Sequence, residues 1–298
     1  MNRSRSVGDG RCLAWPLPAD ASCAKVARRM FTDAVADLQL PAESVEDGIL
    51  MASELAANTL HARGCGGGGQ PEVRGVSDGS GPREVGRGRL AGEALPVSPE
   101  MWIYLRTSIA GRELVCKVFD RSTGWRRGAA PVPGGEPNGP KDARALEDDG
   151  GEGGRGLAVV HELSAGRWGF HLSRGRLGNG RGKVVWFAQP VSQPRFSARP
   201  RMMTAGDAAL YLQAALEARG FTGRLVRADD PAGDMSVVSV SDGLAVWCRA
   251  GVAWLRVPGQ EGLSWSFDDL VEVTEQAVRA HEELGHDRPR LATAQAVR

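Results

Sequence analysis

Apolar and polar positions follow two alternating periods along the 298 residues. In 11–17 (RCLAWPL), Leu13, Trp15 and Leu17 fall on one side, which predicts a short strand. Asp20 and Ser22 are candidate N-caps for a helix reaching Leu38, whose stripe is Val26, Met30, Phe31, Ala34, Val35 and Leu38. Pro41 opens a second helix over 42–62, with Val45, Ile49, Leu50, Ser53, Ala56, Ala57 and Leu60 on one face. Residues 101–107 and 112–119 predict two strands about a turn at Gly111. A helix at 155–165 and strands at 167–173 and 182–188 follow. Further on, a helix fits 204–219, strands fit 223–227, 235–241, 244–249 and 252–257, and a last helix fits 267–284.

Between these elements the pattern breaks. Residues 63–97 carry the run Gly66 to Gly69 with scattered Arg, Ser and Pro, and predict a flexible insertion. Residues 121–152 hold Pro131, Pro133, Pro137 and Pro140 among many glycines and predict a second loose segment. Residues 191–203 read as a linker. The organisation is then a flexible N-terminus at 1–10, a domain at 11–190, the linker, a small domain at 204–284 and a frayed tail at 285–298.

Charge narrows the function classes. Thirty-seven basic and 36 acidic residues give a net charge of +1, so the chain lacks the basic footprint of direct nucleic-acid binding. Five cysteines, at 12, 23, 65, 116 and 248, include no Cys-x-x-Cys and indicate reduced thiols in the cytoplasm. No signal peptide and no apolar run of about 20 residues is apparent, so no membrane association is expected of the chain itself.

Three motifs carry candidate chemistry. In Ser53-Glu54-Leu55-Ala56-Ala57-Asn58, Glu54 and Asn58 are four apart and share a helix face. An amide oxygen there suits Mg²⁺, and a carboxylate one turn away suits a general base; an ordinary polar face would look the same. In Val118-Phe119-Asp120-Arg121-Ser122-Thr123-Gly124, an acid leaves an apolar strand and Gly124 follows, as an amine acceptor beside a flat ring requires, or as a plain strand-to-turn Asp would. Gly151-Glu152-Gly153-Gly154-Arg155-Gly156-Leu157 leads into a helix, where backbone N–H groups can hold an anion. It fits G-x-G-x-x-G, but no strand precedes it, which argues against a dinucleotide fold.

The order of the three motifs resembles the boxes of the GHKL ATPases. Trp15-Pro16-Leu17-Pro18 before a helix, and Trp168-Gly169 with Gly182-Lys183-Val184-Val185-Trp186-Phe187, are similar to the bacterial anti-sigma-factor serine-kinase branch. The resemblance implies an α+β fold: a Bergerat-type two-layer α/β sandwich, its sheet mixed and mainly antiparallel with helices on one face, plus the small α+β C-terminal domain. It implies ATP and Mg as cofactors, Glu54 as general base, and Asn58 as the Mg ligand. It further implies Asp120 and Gly124 at the adenine, Gly154 and Gly156 against the phosphates with Arg155 and Leu157 beside them, and a lid over 125–152. Ser122 stands where the family has a glycine, and Val184 where it has a threonine expected to help hold the adenine-side acid.

Two functions are weighed on this basis. One is a serine/threonine protein kinase of the anti-sigma type, acting in transcriptional control on a sigma factor or an anti-sigma antagonist protein, with a homodimer left open. The other is a non-catalytic interaction scaffold with a degenerate nucleotide site. A third reading, a two-component histidine kinase catalytic domain, ranks last, because few residues precede the first strand and a helical hairpin with a phosphoacceptor His is not expected there. In the C-terminal unit, Trp247, Trp254 and Trp265 are expected to pack in a core, and Asp268 and Asp269 to cap the last helix.

Overall fold

The computed structural model describes residues 7, 11–64, 98–121, 152–191, 203–221 and 226–295. The Gly-rich insertion after 64, Gly124, the expected lid and the linker after 191 lie outside the described residues. The elements run β1 (Leu13–Pro16), α1 (Cys23–Val35), α2 (Ala42–Gly64), β2 (Glu100–Ser108), β3 (Gly111–Asp120), α3 (Glu152–Leu163), β4 (Trp168–Arg174) and β5 (Arg181–Pro190). After them come α4 (Ala205–Glu217), β6 (Val226–Asp229), β7 (Met235–Ser241), β8 (Leu244–Arg249), β9 (Val252–Arg256), β10 (Leu263–Ser266) and α5 (Leu270–Gln295). The fold is α+β, with two five-stranded sheets ordered β1-β2-β3-β5-β4 and β10-β9-β8-β7-β6. Every strand pairing among the described residues is antiparallel.

Period-two alternation decides what each face of the first sheet meets. Met101, Ile103, Leu105, Leu114, Cys116, Val118 and Phe187 share one core with Phe31 of α1, Met51 and Leu55 of α2 and Val160 of α3. This is the expected α/β sandwich on the side of α1, α2 and α3, but the sheet is antiparallel throughout the described residues where a mixed one was expected. Gly48 lets α1 approach α2, since a Cβ there would lie 2.3 Å from the Phe31 ring. Asp20 accepts from the N–H and hydroxyl of Ser22, at 2.8 and 2.6 Å, and so shapes the turn into α1.

The opposite face of the sheet is also covered, and α5 covers it. Trp102, Tyr104, Val115, Phe119, Val184 and Ala188 pack in one cluster with Val271. Leu270, Val273, Ala277 and Val278 of the same helix pack against α4 and the second sheet. One helix thus serves two layers. Its contact with the first sheet is largely ionic. Glu275, fully buried, receives Lys117 at 3.2 Å, Arg176 at 2.9 Å and Arg219. Glu272 accepts from the Tyr104 hydroxyl at 2.5 Å, and Glu282 pairs with Arg174 and Arg181 at 2.5 and 3.0 Å. These cations hold the Glu275 carboxyl well below the usual range, although burial opposes them.

Some expectations change. Asp269 does not cap its helix; its carboxylate accepts from the Thr107 N–H at 2.9 Å and ties the second unit to the β2–β3 hairpin. The local cap is Ser266, which accepts from the Asp268 N–H at 3.3 Å. Strand β10 is additional to the expected strands. The last helix continues past 284 to Gln295. Trp247 and Trp254 stand opposite one another on β8 and β9 with alternation placing them away from the core, and Trp254 is 39% exposed. Only Trp265 packs against the second core.

Removing one partner of a buried ion cluster strands the others. Glu275→Gln is expected to lower unfolding free energy by about 3–5 kcal/mol in urea titration; a change within error would contradict the ionic account of α5. A pH effect follows from His171, buried on β4, whose protonation is disfavoured first by burial and then by Lys117 and Arg279, with the Leu172 carbonyl and Glu275 opposing. Its folded pKa lies well below the unfolded value of about 6.5, so its contribution is complete above that value and is lost as pH falls below it. Urea midpoints should fall between pH 7.5 and 5.5, and less steeply in His171→Asn; equal slopes would contradict this.

Candidate functional site

Helix α2 sets Met51, Ala52, Leu55 and Ala56 into the core, which leaves the partly buried Glu54 and Asn58 on its flank. Helix α3 meets that flank. A Cβ on Gly156 would stand 2.7 Å from Glu54 Oε2, and 3.5 and 3.6 Å from Asn58 Nδ2 and Oδ1. Two residues about a hundred positions away in sequence therefore close on the backbone of one glycine. A Cβ at 156 would press on the Glu54 carboxylate and come into van der Waals contact with the Asn58 amide.

The glycine run was expected ahead of the helix. It instead forms the helix's first turns, because α3 begins at Glu152. Its leading N–H groups, which have no partner within the helix, then lie in the stretch that holds Gly154 and precedes Gly156. Arg155 is exposed, and Leu157 packs against the helix-side core, so Leu157 anchors the turn. At the far end of α3, the Trp168 indole N–H donates to His161 Nδ1 at 3.0 Å and fixes the helix to β4.

Asp120 ends β3, buried, on the helix-side face by alternation with Cys116 and Val118. Its register partner is Lys183 on β5, and Lys183 Nζ stands 4.0 Å from Asp120 Oδ2. Burial pushes the Lys183 ammonium down from its ordinary value, and the Asp120 carboxylate opposes that shift. Val184 points to the other face, against Trp102 and Phe119. The residue standing beside Asp120 is therefore Lys183, and the threonine-to-valine departure does not touch that acid. Gly182 allows the close approach: a Cβ there would lie 2.2 Å from the Asp120 carbonyl oxygen.

The turn between β4 and β5 supports this corner. Glu100, buried, accepts from the N–H groups of Arg176, Leu177 and Gly178 at 2.5, 2.8 and 2.8 Å. Arg121 donates to the Gly178 carbonyl at 3.1 Å. Neither Lys183 nor Glu100 was a sequence candidate. Lys183 was within reach of sequence reasoning, since antiparallel register places a β5 residue beside Asp120 once both strands are assigned.

Other chemistry is poorly supported. Burial pushes the Cys12 and Cys248 thiols up to about 11 and raises those of Cys23 and Cys116, so none of the four is a thiolate nucleophile near neutral pH. Among the described residues no three His, Cys, Asp or Glu side chains gather as a metal cage. Mg²⁺ needs no such cage, because it takes one or two protein oxygens together with phosphates. A cleft of about 900 Å³ lies away from the three motifs, lined by Arg106, Glu113, Leu255, Trp265, Glu272 and Arg279. Its charged groups already pair with one another or with neighbours.

A two-layer α/β sandwich with polar groups gathered at a glycine-rich helix start defines the class of GHKL-type ATPase domains. Residues 17–167 match the model of the histidine kinase-like ATPase domain, and the chain belongs to that family. Comparison with curated proteins and with solved structures yields no match. Among the described residues no helix is long and apolar enough to cross a membrane.

The two close-packed glycines predict opposite behaviour. In Gly156→Ala the methyl meets only the mobile ends of side chains, so stability should change by less than about 1 kcal/mol. In Gly182→Ala the methyl meets backbone, and a loss of about 1–3 kcal/mol is expected. Urea titration of both checks the contrast; equal losses would refute the packing described.

Proposed function

We propose that the chain is a cytoplasmic regulatory protein that binds Mg·ATP and, like the anti-sigma serine kinases, binds and phosphorylates a protein antagonist in transcriptional control. The observation that carries the reading is the closure of Gly156 on Glu54 and Asn58. That arrangement fits Mg·ATP: a hard oxygen donor, a carboxylate and a helix start meet at one place. When bound, Mg·ATP would supply the phosphoryl group and the cation that offsets its charge.

The residues then divide the work. Asn58 is assigned to the cation and Glu54 to the proton of the attacking hydroxyl. The N–H groups at the start of α3, with Gly154 and Gly156, are assigned to the phosphates, and Arg155 to their outer side. Asp120 is assigned to the adenine amine. Catalysis of this kind is mainly placement and charge stabilisation, so a displacement of Glu54 by an ångström would slow it strongly.

A second reading is the interaction scaffold with a weakened nucleotide site. Lys183 favours it, since an ammonium 4.0 Å from Asp120 competes for the acceptor that a base would use.

Titration calorimetry separates the possibilities. Wild type should show heat with Mg·ATP that is lost in Asn58→Ala and Asp120→Ala; equal heats from all three would defeat the site assignment. Where wild type transfers phosphate to a co-purified antagonist, Glu54→Ala should abolish transfer with binding retained. Binding without transfer to any antagonist would favour the scaffold.

A further inference from the structure

The Asp120–Lys183 pair admits another use. Both residues face the helix layer from adjacent strands, in register, and both are largely buried, with side chains 6% and 12% exposed. A buried ammonium is costly unless its position is used or well paired. A carboxylate has about four acceptor sites on two oxygens, so Asp120 can face Lys183 and accept from a second donor as well. The pair then presents an acceptor and a donor side by side at one strand end. Adenine carries the complement on one edge, where its 6-amino group donates and the adjacent ring nitrogen N1 accepts.

We infer that Lys183 is a base-specificity residue of the nucleotide site, its ammonium donating to adenine N1 while Asp120 accepts from the 6-amino group. The inference rests on the reading of Asp120 as the adenine acid. It reverses the meaning of the lysine: Lys183 reads the base and does not block the acid. A solely structural lysine, present to neutralise Asp120, would have no dependence on the atom at ring position 1.

That dependence is the test. Displacement of a fluorescent ATP analogue is measured with Mg·ATP and with Mg·1-deaza-ATP, which has CH in place of N1. The measurement is made on wild type, Lys183→Met and Lys183→Ala, each checked for an unchanged far-ultraviolet spectrum. A charge-assisted hydrogen bond predicts that wild type prefers ATP by about tenfold or more, and that the preference disappears in either variant. Equal binding of the two nucleotides by wild type overturns the inference, as does a preference that survives both substitutions. Absence of any Mg·ATP binding by wild type would defeat the nucleotide reading itself; binding without the N1 preference removes only the role of Lys183.

Discussion

Glu275 is the point on which the two halves of the molecule meet. Its carboxylate is fully buried between Lys117 of β3, Arg176 of the β4–β5 turn and Arg219 just beyond α4. A buried charge is tolerated only with such partners, and the partners fix one seat for α5 on the sheet. Apolar side chains alone would allow the helix to slide; three cations from three elements do not. The consequence is a first sheet covered on both sides, by α1, α2 and α3 on one face and by α5 on the other. The C-terminal unit is therefore built into the ATPase domain's second face, where the sequence suggested a linked module.

That closure directs attention to the helix side of the sheet. There the decisive constraint is distance, set by glycines. Gly156 brings α3 against Glu54 and Asn58, and Gly182 brings β5 against the end of β3 where Asp120 emerges. The corner holding Asp120 is stiffened by Glu100, which gathers three backbone N–H groups of the β4–β5 turn. Arg176 in that turn also reaches Glu275, so the corner and the α5 interface share a residue.

The helix-side half of the fold was legible because local patterns carry it. The stripe of α1, the Glu54–Asn58 spacing and the strand ending at Asp120 are all readable within a few turns of chain. What escaped depends on partners distant in sequence. Glu272, Glu275 and Glu282 look like a solvated helix face until Tyr104 and Arg106 are placed against the first, Lys117, Arg176 and Arg219 against the second, and Arg174 and Arg181 against the third. Asp269 resembles a cap because its acceptor role involves Thr107, 162 residues away. Strand β10 has four residues beside Gly262, too short for a period to register. The outward Trp247 and Trp254 have the composition of core residues, and their face follows from alternation with the buried Val246, Cys248, Ala253 and Leu255.

The central claim is that α2, α3 and the end of β3 serve one nucleotide. Amide hydrogen exchange with and without Mg·ATP tests it most directly, since it reads all three segments in the intact chain. Ligand-dependent slowing at 54–58, at the start of α3 and at 118–121 together is the predicted result. Exchange unchanged at all three under saturating nucleotide would contradict it.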